Sequence, residues 1–356
     1  MSFNPLYPHQ LDPLPPAVPL KNNDFSDLLL KARIELAELK GSCGQLPNPL
    51  LLTAPLLLRE SVESSGIENI NTTVANVLEN QVLPEDQRSK PNKEVLRYRE
   101  ALHWGATNLS ELSLSNRMIL GIHEKLLPEG GGYRRDQNHI VNSKTGEILY
   151  TPPAQTHIPS LIGNWETYVN ENKGLDPLIR AAIEHYQFES IHPFTDGNGR
   201  TGRILMVLQL MRDEVIDLPI LFISGYINKN RNEYYELLRG VTSKGEWHAF
   251  IEFMIQGFYV QAKETKETLR KVTDLHKELK HTIREDFAKI YSADLLEALF
   301  TYPVITPTQL AKELDTHYTT ASKRLVQLAE AGILDSMKVG RNHFFINKRL
   351  VLMLSN

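Results

Sequence analysis

Apolar side chains recur at helical spacing over most of this chain, and runs that alternate at strand spacing are short and few. Phe25, Leu28, Leu29, Ala32, Ile34, Leu36 and Leu39 predict an amphipathic helix from Asp24 that ends at Gly41. Pro47 to Pro55 reads as a break, and Leu56 to about Ser64 as the next helical stretch. Further helices are expected over 92–109 and 115–126, the second with Ser115 as its N-cap and with Pro128 to Gly132 as its stop. Ile179, Ala182, Ile183, Tyr186 and Phe188 place another over 176–190, and Ile204, Leu205, Val207, Leu208 and Met211 open the one after it. The ranges 228–239 and 248–271 are also helical by period. Ahead of all these, prolines at 5, 8, 13, 15, 16 and 19 predict an extended start draped over the body.

Strand signals appear in two places. His139, Ile140 and Val141, then Ile148, Leu149 and Tyr150, flank a polar turn and predict a β-hairpin. The tail reads as helix from Asp294, a turn at Tyr302-Pro303, helix 308–314 and helix 319–331. Two strands follow, Ile333-Leu334 and His343 to Ile346. This succession resembles a winged helix-turn-helix. Residues 316–356 carry six Lys/Arg against two acidic side chains, on a chain whose net charge is −4. A helix bearing Tyr318, Thr319, Thr320, Ser322, Lys323 and Arg324 near its start could enter a DNA major groove through 294–356. The same fold also serves protein contacts, including a homodimer.

Length and composition bound the class. At 356 residues the chain should hold two or three units, and 41% hydrophobic content suffices for ordinary cores. The slight negative charge argues against global attraction to nucleic acid or to an anionic membrane. One cysteine, Cys43, makes no intramolecular disulfide, and no apolar run is long enough to span a bilayer. Cytoplasmic residence without membrane attachment is the expectation.

The chemistry concentrates in Ile191 to Arg203, which reads IHPFTDGNGRTGR. Gly197-Asn198-Gly199 permits backbone conformations that aim successive N–H groups into one concavity, a nest for an anion. The apolar-periodic run behind it makes that nest the start of a helix, whose N-terminus adds a field favourable to phosphate. Arg200 and Arg203 stand three apart, on one face of the first turn, where guanidinium forks can grip phosphate oxygens. Asp196 is a hard oxygen ligand suited to Mg²⁺ shared with phosphates. His192 carries an imidazole whose ordinary pKa, about 6.5, lets it accept a hydroxyl proton near neutrality. Phe194 is expected to be a buried anchor. No G-x-x-x-x-G-K-[ST] run occurs, so the P-loop solution is excluded. His139 and His157 lack paired spacing, and no structural metal is expected.

These residues resemble the Fic family, whose signature H-x-F-x-[DE]-G-N-G-R-x-x-R this chain matches at every fixed position. The resemblance implies transfer of AMP from ATP, with Mg²⁺, to a Ser, Thr or Tyr hydroxyl of a target protein or of the enzyme itself. By position, it makes His192 the base, Asp196 the Mg²⁺ ligand, and Gly197, Asn198 and Gly199 the anion hole. Arg200 and Arg203 would then hold the outer phosphates beside Gly202, with Arg203 on the γ-phosphate. Tyr234 and Tyr235, with Arg231, are candidates for the wall of the nucleotide pocket. The hairpin at His139, Ile140 and Val141 would be the family's flap, docking a target by backbone pairing.

A second run, Ser64-Ser65-Gly66-Ile67-Glu68-Asn69, matches [ST]-x-x-x-E-[GN], the family's inhibitory-helix signature. Ser64 and Glu68 lie one helical turn apart and face one neighbour. The resemblance implies that Glu68 pairs with Arg203 and denies it to the γ-phosphate. The chain thus reads as mainly α: an N-terminal helical region over 1–110 with its inhibitory motif at 64–69, a Fic-type helical bundle with a flap over 111–270, and a winged helix-turn-helix over 285–356. Three other functions fit the same residues: a nucleotide-sensing DNA-binding regulator, combined transfer and removal of AMP, or transfer of a different nucleotide.

Overall fold

Two consecutive helices, buried almost all round, form the centre of the molecule: α7 (Pro177–Ile191) and α8 (Asn198–Arg212). Helices with no solvent face need partners on every side, and the other helices supply them. In this computed structural model the described residues are 3–355, apart from 45–48, 82, 84–86, 143–144, 172–173 and 340–341. Before the central pair come α1 (Ser26–Gly44), α2 (Pro49–Ile67), α3 (Val74–Gln81), α4 (Lys90–Leu112), α5 (Asn116–Leu126) and α6 (Ile158–Glu171). After it come α9 (Ile223–Lys229), α10 (Arg231–Lys244) and α11 (Trp247–Asp286), a spine of 40 residues along which α1 packs. The expected hairpin is present as β1 (Ile140–Val141) and β2 (Ile148–Tyr150), antiparallel, with His139 just outside it.

The tail runs α12 (Ala293–Thr301), β3 (Val304–Ile305), α13 (Pro307–Glu313), α14 (Tyr318–Glu330), β4 (Asp335–Val339), β5 (Asn342–Ile346) and α15 (Lys348–Ser355). Its strands form an antiparallel sheet in the order β3-β5-β4. Helix α15 returns to the body and packs on α11 and α3, and Arg349 forks onto Glu278 of the spine at 2.5 and 2.7 Å.

Four expectations are corrected. The break drawn over Pro47 to Pro55 gives way to helix from Pro49 on, with Pro55 inside α2; positions 47 and 48 lie outside the described residues. Proline costs one hydrogen bond there, but Leu56 and Leu58 just beyond it are wholly buried, and that packing outweighs the local penalty. The single helix over 228–239 is two helices broken at Asn230, whose side-chain amide donates to the Tyr226 carbonyl at 2.9 Å and competes with the helical ladder. The stretch 248–271 continues 15 residues further, because Val272, Leu275, Leu279 and Ile283 keep the buried stripe in phase. In the tail, Ile333 and Leu334 are not strand: both amides turn back to the Leu328 carbonyl and close α14, so β4 starts at Asp335.

The proline-rich start is extended and lies on the body as expected. The His9 N–H donates to the Thr151 carbonyl (2.9 Å), Gln187 donates to the Asp12 carbonyl (2.9 Å), and Leu14 exchanges two bonds with the Asn164 amide. Phe3 stacks on Tyr150 of β2 with ring centroids 6.3 Å apart. No helix among the described residues is long and apolar enough to cross a membrane.

Ser115 caps α5 as expected, its hydroxyl accepting the Met118 N–H at 3.3 Å. Ser115→Ala should therefore lower unfolding free energy by about 1 kcal/mol in urea titration; an unchanged midpoint would show the cap to be dispensable.

Candidate functional site

Helix α7 stops because His192 takes a left-handed backbone (φ 48°, ψ 59°), its N–H still reaching the Phe188 carbonyl. A residue with a Cβ resists that conformation, so neighbours must hold it. Arg134 does so from outside the helix: its Nε donates to the His192 carbonyl at 3.0 Å, its Nη2 to the Pro153 carbonyl at 2.5 Å, and its backbone N–H to the Pro193 carbonyl. Phe194, the expected anchor, is fully buried and lies flat on His123, with centroids 3.6 Å apart. The Asn198 side chain closes the loop by accepting from the Phe194 N–H and donating to its carbonyl, both at 2.8 Å.

The turn into α8 is made at Gly197, also left-handed (φ 79°), and α8 begins at Asn198. Asp196 precedes it with a side chain 71% exposed, and its Oδ1 accepts the Gly197 N–H at 2.6 Å. Arg200 and Arg203 both emerge from the first turns of α8 but part company. Arg200 turns toward α4 and pairs with Glu94 at 3.0 Å, reaching Asp196 only at 3.5 Å. Arg203 turns toward α2. Its Nε donates to Ser64 Oγ (2.8 Å), and its Nη2 donates to the Ser64 carbonyl (2.9 Å) and to Glu68 Oε1 (2.9 Å). Gly199 makes room for this: a Cβ there would lie 2.2 Å from Glu68 Oε1.

Position 69 explains its own residue type. Asn69 sits just past the end of α2 with φ 62°, a conformation that glycine and asparagine tolerate best, which is the choice the motif allows. Glu60 and Ser64 lie one turn apart on α2, and Glu68 continues the same four-residue step just past its end. Glu60 is wholly buried, accepting from Tyr98 Oη (3.0 Å) and from the Ser224 hydroxyl and N–H.

Around this centre, burial decides which groups carry charge. Burial lowers the His192 pKa to about 4, against a small opposing pull from the Glu189 carbonyl. That carbonyl can only accept, so its 3.3 Å contact with Nδ1 fixes the proton there and leaves Nε2 as the free acceptor. Burial raises Glu60 to about 7 and Glu189 to about 8, with Arg203 pulling both back. For Arg203 itself burial works against the charge, yet Glu68, Tyr98, Glu189 and Tyr234 together hold its pKa above the ordinary arginine value.

A cavity of about 770 Å³, a size typical of small-molecule sites, joins these parts. Of the residues singled out in the sequence, His192, Gly199, Arg203, Glu68, Asn69, Arg231, Tyr234, Tyr235, His139, Ile140 and Val141 line it. Ser64, Asp196, Gly197, Asn198, Arg200 and Gly202 do not; Gly202 instead faces Glu189 and Phe188 inside the α7–α8 contact. Tyr234 is buried with its hydroxyl on His185 at 2.7 Å, whereas Tyr235 is 41% exposed. Arg134, His123, Glu94 and Glu60 were missed by reading motifs alone. Only Glu60 had a signal, the fourfold spacing that leads to Ser64 and Glu68.

The Fic/DOC family matches residues 113–210 and its N-terminal region residues 26–107, together just over half of the chain. The C-terminal domain described as protein adenylyltransferase SoFic-like matches residues 275–350. The chain belongs to the Fic/DOC family. It is 30% identical over 202 residues to the protein adenylyltransferase Fic of Drosophila grimshawi, covering 54% of this chain and 39% of that one. A relative from Drosophila virilis matches at the same identity and coverage, so the chain spans about two fifths of the length of these curated relatives. Among solved structures, a Fic family protein from Desulfovibrio desulfuricans G20 shares the fold over 94% of this chain and 98% of its own (TM-score 0.61, 21% identity). Fic-1 of C. elegans does so over 69% and 74% (TM-score 0.51, 22% identity).

The left-handed backbone at Gly197, with Leu127 Cδ1 3.0 Å from any added Cβ, allows one further test. Gly197→Ala should cost about 1–3 kcal/mol of stability, read by chemical unfolding; a wild-type midpoint would mean the turn tolerates a side chain.

Proposed function

We propose that this protein transfers AMP from ATP to a hydroxyl side chain of a target protein or of itself, and that Glu68 holds it inhibited. The observation that carries this reading is the engagement of Arg203 by α2 and the residue just past its end. The guanidinium best placed for an outer phosphate is occupied by Ser64 and Glu68, within the cavity that holds His192. In the reaction, His192 Nε2 takes the hydroxyl proton and the freed oxygen attacks the α-phosphorus. The new O–P bond forms as the bond to pyrophosphate breaks, and pyrophosphate leaves with its charge. The α8 N-terminus, which reaches the cavity at Gly199, would supply N–H groups and its dipole to the developing charge, which is where such reactions gain most of their rate. Tyr234 and Tyr235 would bound the nucleoside, and β1 would pair with an extended target segment.

The chain's residues fit Mg²⁺. Among the described residues no group of three or more Asp, Glu, His or Cys is placed to hold a metal ion by itself, and Asp196 offers one exposed carboxylate beside the nest. One carboxylate with the remaining positions left to phosphate and water is the usual protein share for this ion. Asp196 would hold it, and the ion would neutralise phosphate charge. The tail is proposed as a contact module: His317, just before α14, and Tyr318, Thr319, Thr320 and Lys323 on it are exposed together, a face suited to a DNA groove. Cytoplasmic residence is part of the same proposal.

Incubation with labelled ATP and lysate tests the reading. Glu68→Gly should raise labelling of protein, its own chain included, by roughly tenfold or more, since it removes the carboxylate that competes with phosphate for Arg203. His192→Ala in that background should lower it by about 10²–10⁴-fold. No adduct on any polypeptide with Glu68 removed would end the assignment. The pH profile gives a second check. An imidazole kept neutral by burial takes its proton only near pH 4 rather than near 6.5. Both the base and the stability it contributes persist above pH 6.5, and both decline as pH falls toward 4. The acid limb of the Glu68→Gly rate should therefore lie well below pH 6; a midpoint near 6.5 would contradict a desolvated His192.

A further inference from the structure

The segment that ends α2 is held by two arginines rather than one. Arg203 takes the Ser64 carbonyl and the Glu68 side chain from α8. Arg231, the first residue of α10, mirrors it from the opposite side. Its Nη2 donates to the Gly66 carbonyl (2.5 Å) and to the Ile67 carbonyl, and its Nη1 donates to Asn69 Oδ1 at 3.1 Å. The last carbonyls of a helix lack partners within it and carry the negative end of its dipole, so a guanidinium there is favoured on both counts. The contact continues back along the helix: Asn228 donates to Glu63 (2.9 Å), and Ser224 to the buried Glu60. Three positions on α9–α10 thus track 60, 63 and 66–69 of α2 in register. Arg231 also lines the cavity, three residues before Tyr234.

We propose that Arg231 is a positioning residue for the inhibited state: it latches the end of α2, so that Glu68 stays within reach of Arg203. This rests on the inhibitory reading of Glu68 given above. Ordering the end of the helix keeps the carboxylate at high local concentration over Arg203. Losing three charge-assisted bonds shifts the balance toward a helix end that has swung away. Because latch and nucleotide wall belong to one helix, a nucleotide that moves α10 also loosens the brake.

The test compares Arg231→Ala, Arg231→Lys, Glu68→Gly and the Arg231→Ala/Glu68→Gly pair for AMP transfer, together with amide hydrogen exchange over 64–69 in the full chain. Arg231→Ala should raise kcat at least about tenfold, the scale of a single one of its three charge-assisted bonds. Its exchange over 64–69 should quicken while melting temperature holds. Arg231→Lys, which keeps the charge but not the fork, should fall between. The pair should be no faster than Glu68→Gly alone. If Glu68→Gly is fast and Arg231→Ala is not, or Arg231→Ala only raises KM for ATP, the latch is wrong and the brake stands. If Glu68→Gly is no faster than wild type, brake and latch fall together. Should Arg231→Ala not fold, Arg231→Gln and the exchange of Arg231→Lys decide in the same sense.

Discussion

The organisation of the site depends on where one buried guanidinium finds its partners. Arg203 is almost completely buried at the start of α8, and a charge in that position must be matched by acceptors or it would destabilise the fold. Ser64 and Glu68 supply them, from a helix more than 130 positions earlier in the chain. The same pairing that satisfies the charge also occupies the cation suited to a phosphate. Folding and the proposed inhibition therefore draw on one set of bonds. Two of those bonds come from Ser64, so in the proposed release of Glu68 the charge would not be stranded.

The rest of the centre is arranged by burial and by two left-handed residues. His192 and Gly197 bend the chain at either end of a short loop, and Arg134, His123 and Asn198 hold the bends in place. Desolvation keeps the His192 imidazole neutral and its Nε2 open, and it keeps Glu60 and Glu189 from ionising fully around Arg203. Arg203, Arg231 and Arg239 line the cavity against Glu68, Glu189 and Glu236, and because burial holds Glu189 mostly uncharged, the balance suits a polyanionic ligand. Its opposite wall is the hairpin, with the N-terminal arm laid along it and Phe3 reaching the cavity rim.

Much was legible from residue order alone. Helical content follows from apolar period. The thirteen residues from Ile191 to Arg203 hold the candidate base, metal ligand, nest and arginines within a local stretch, so spacing was enough to read them. The four-residue step from Ser64 to Glu68 was equally local. Asn69 could be noted as part of a pattern, but only its φ of 62° says why the pattern accepts glycine or asparagine.

What residue order could not decide was direction and partnership. Arg200 and Arg203 share one face of one turn, yet one faces Glu94 on α4 and the other Ser64 and Glu68 on α2, because different helices lie over each. Pro55 looked like a break until the burial of the leucines beyond it carried the helix through. Arg134, Glu60 and Arg231 act across separations of about 60 to 165 positions, where no periodicity connects them to what they hold. Local spacing determines which groups a segment can offer. Packing determines which of them meet, since only the folded chain brings distant helix ends and buried charges to within a hydrogen bond.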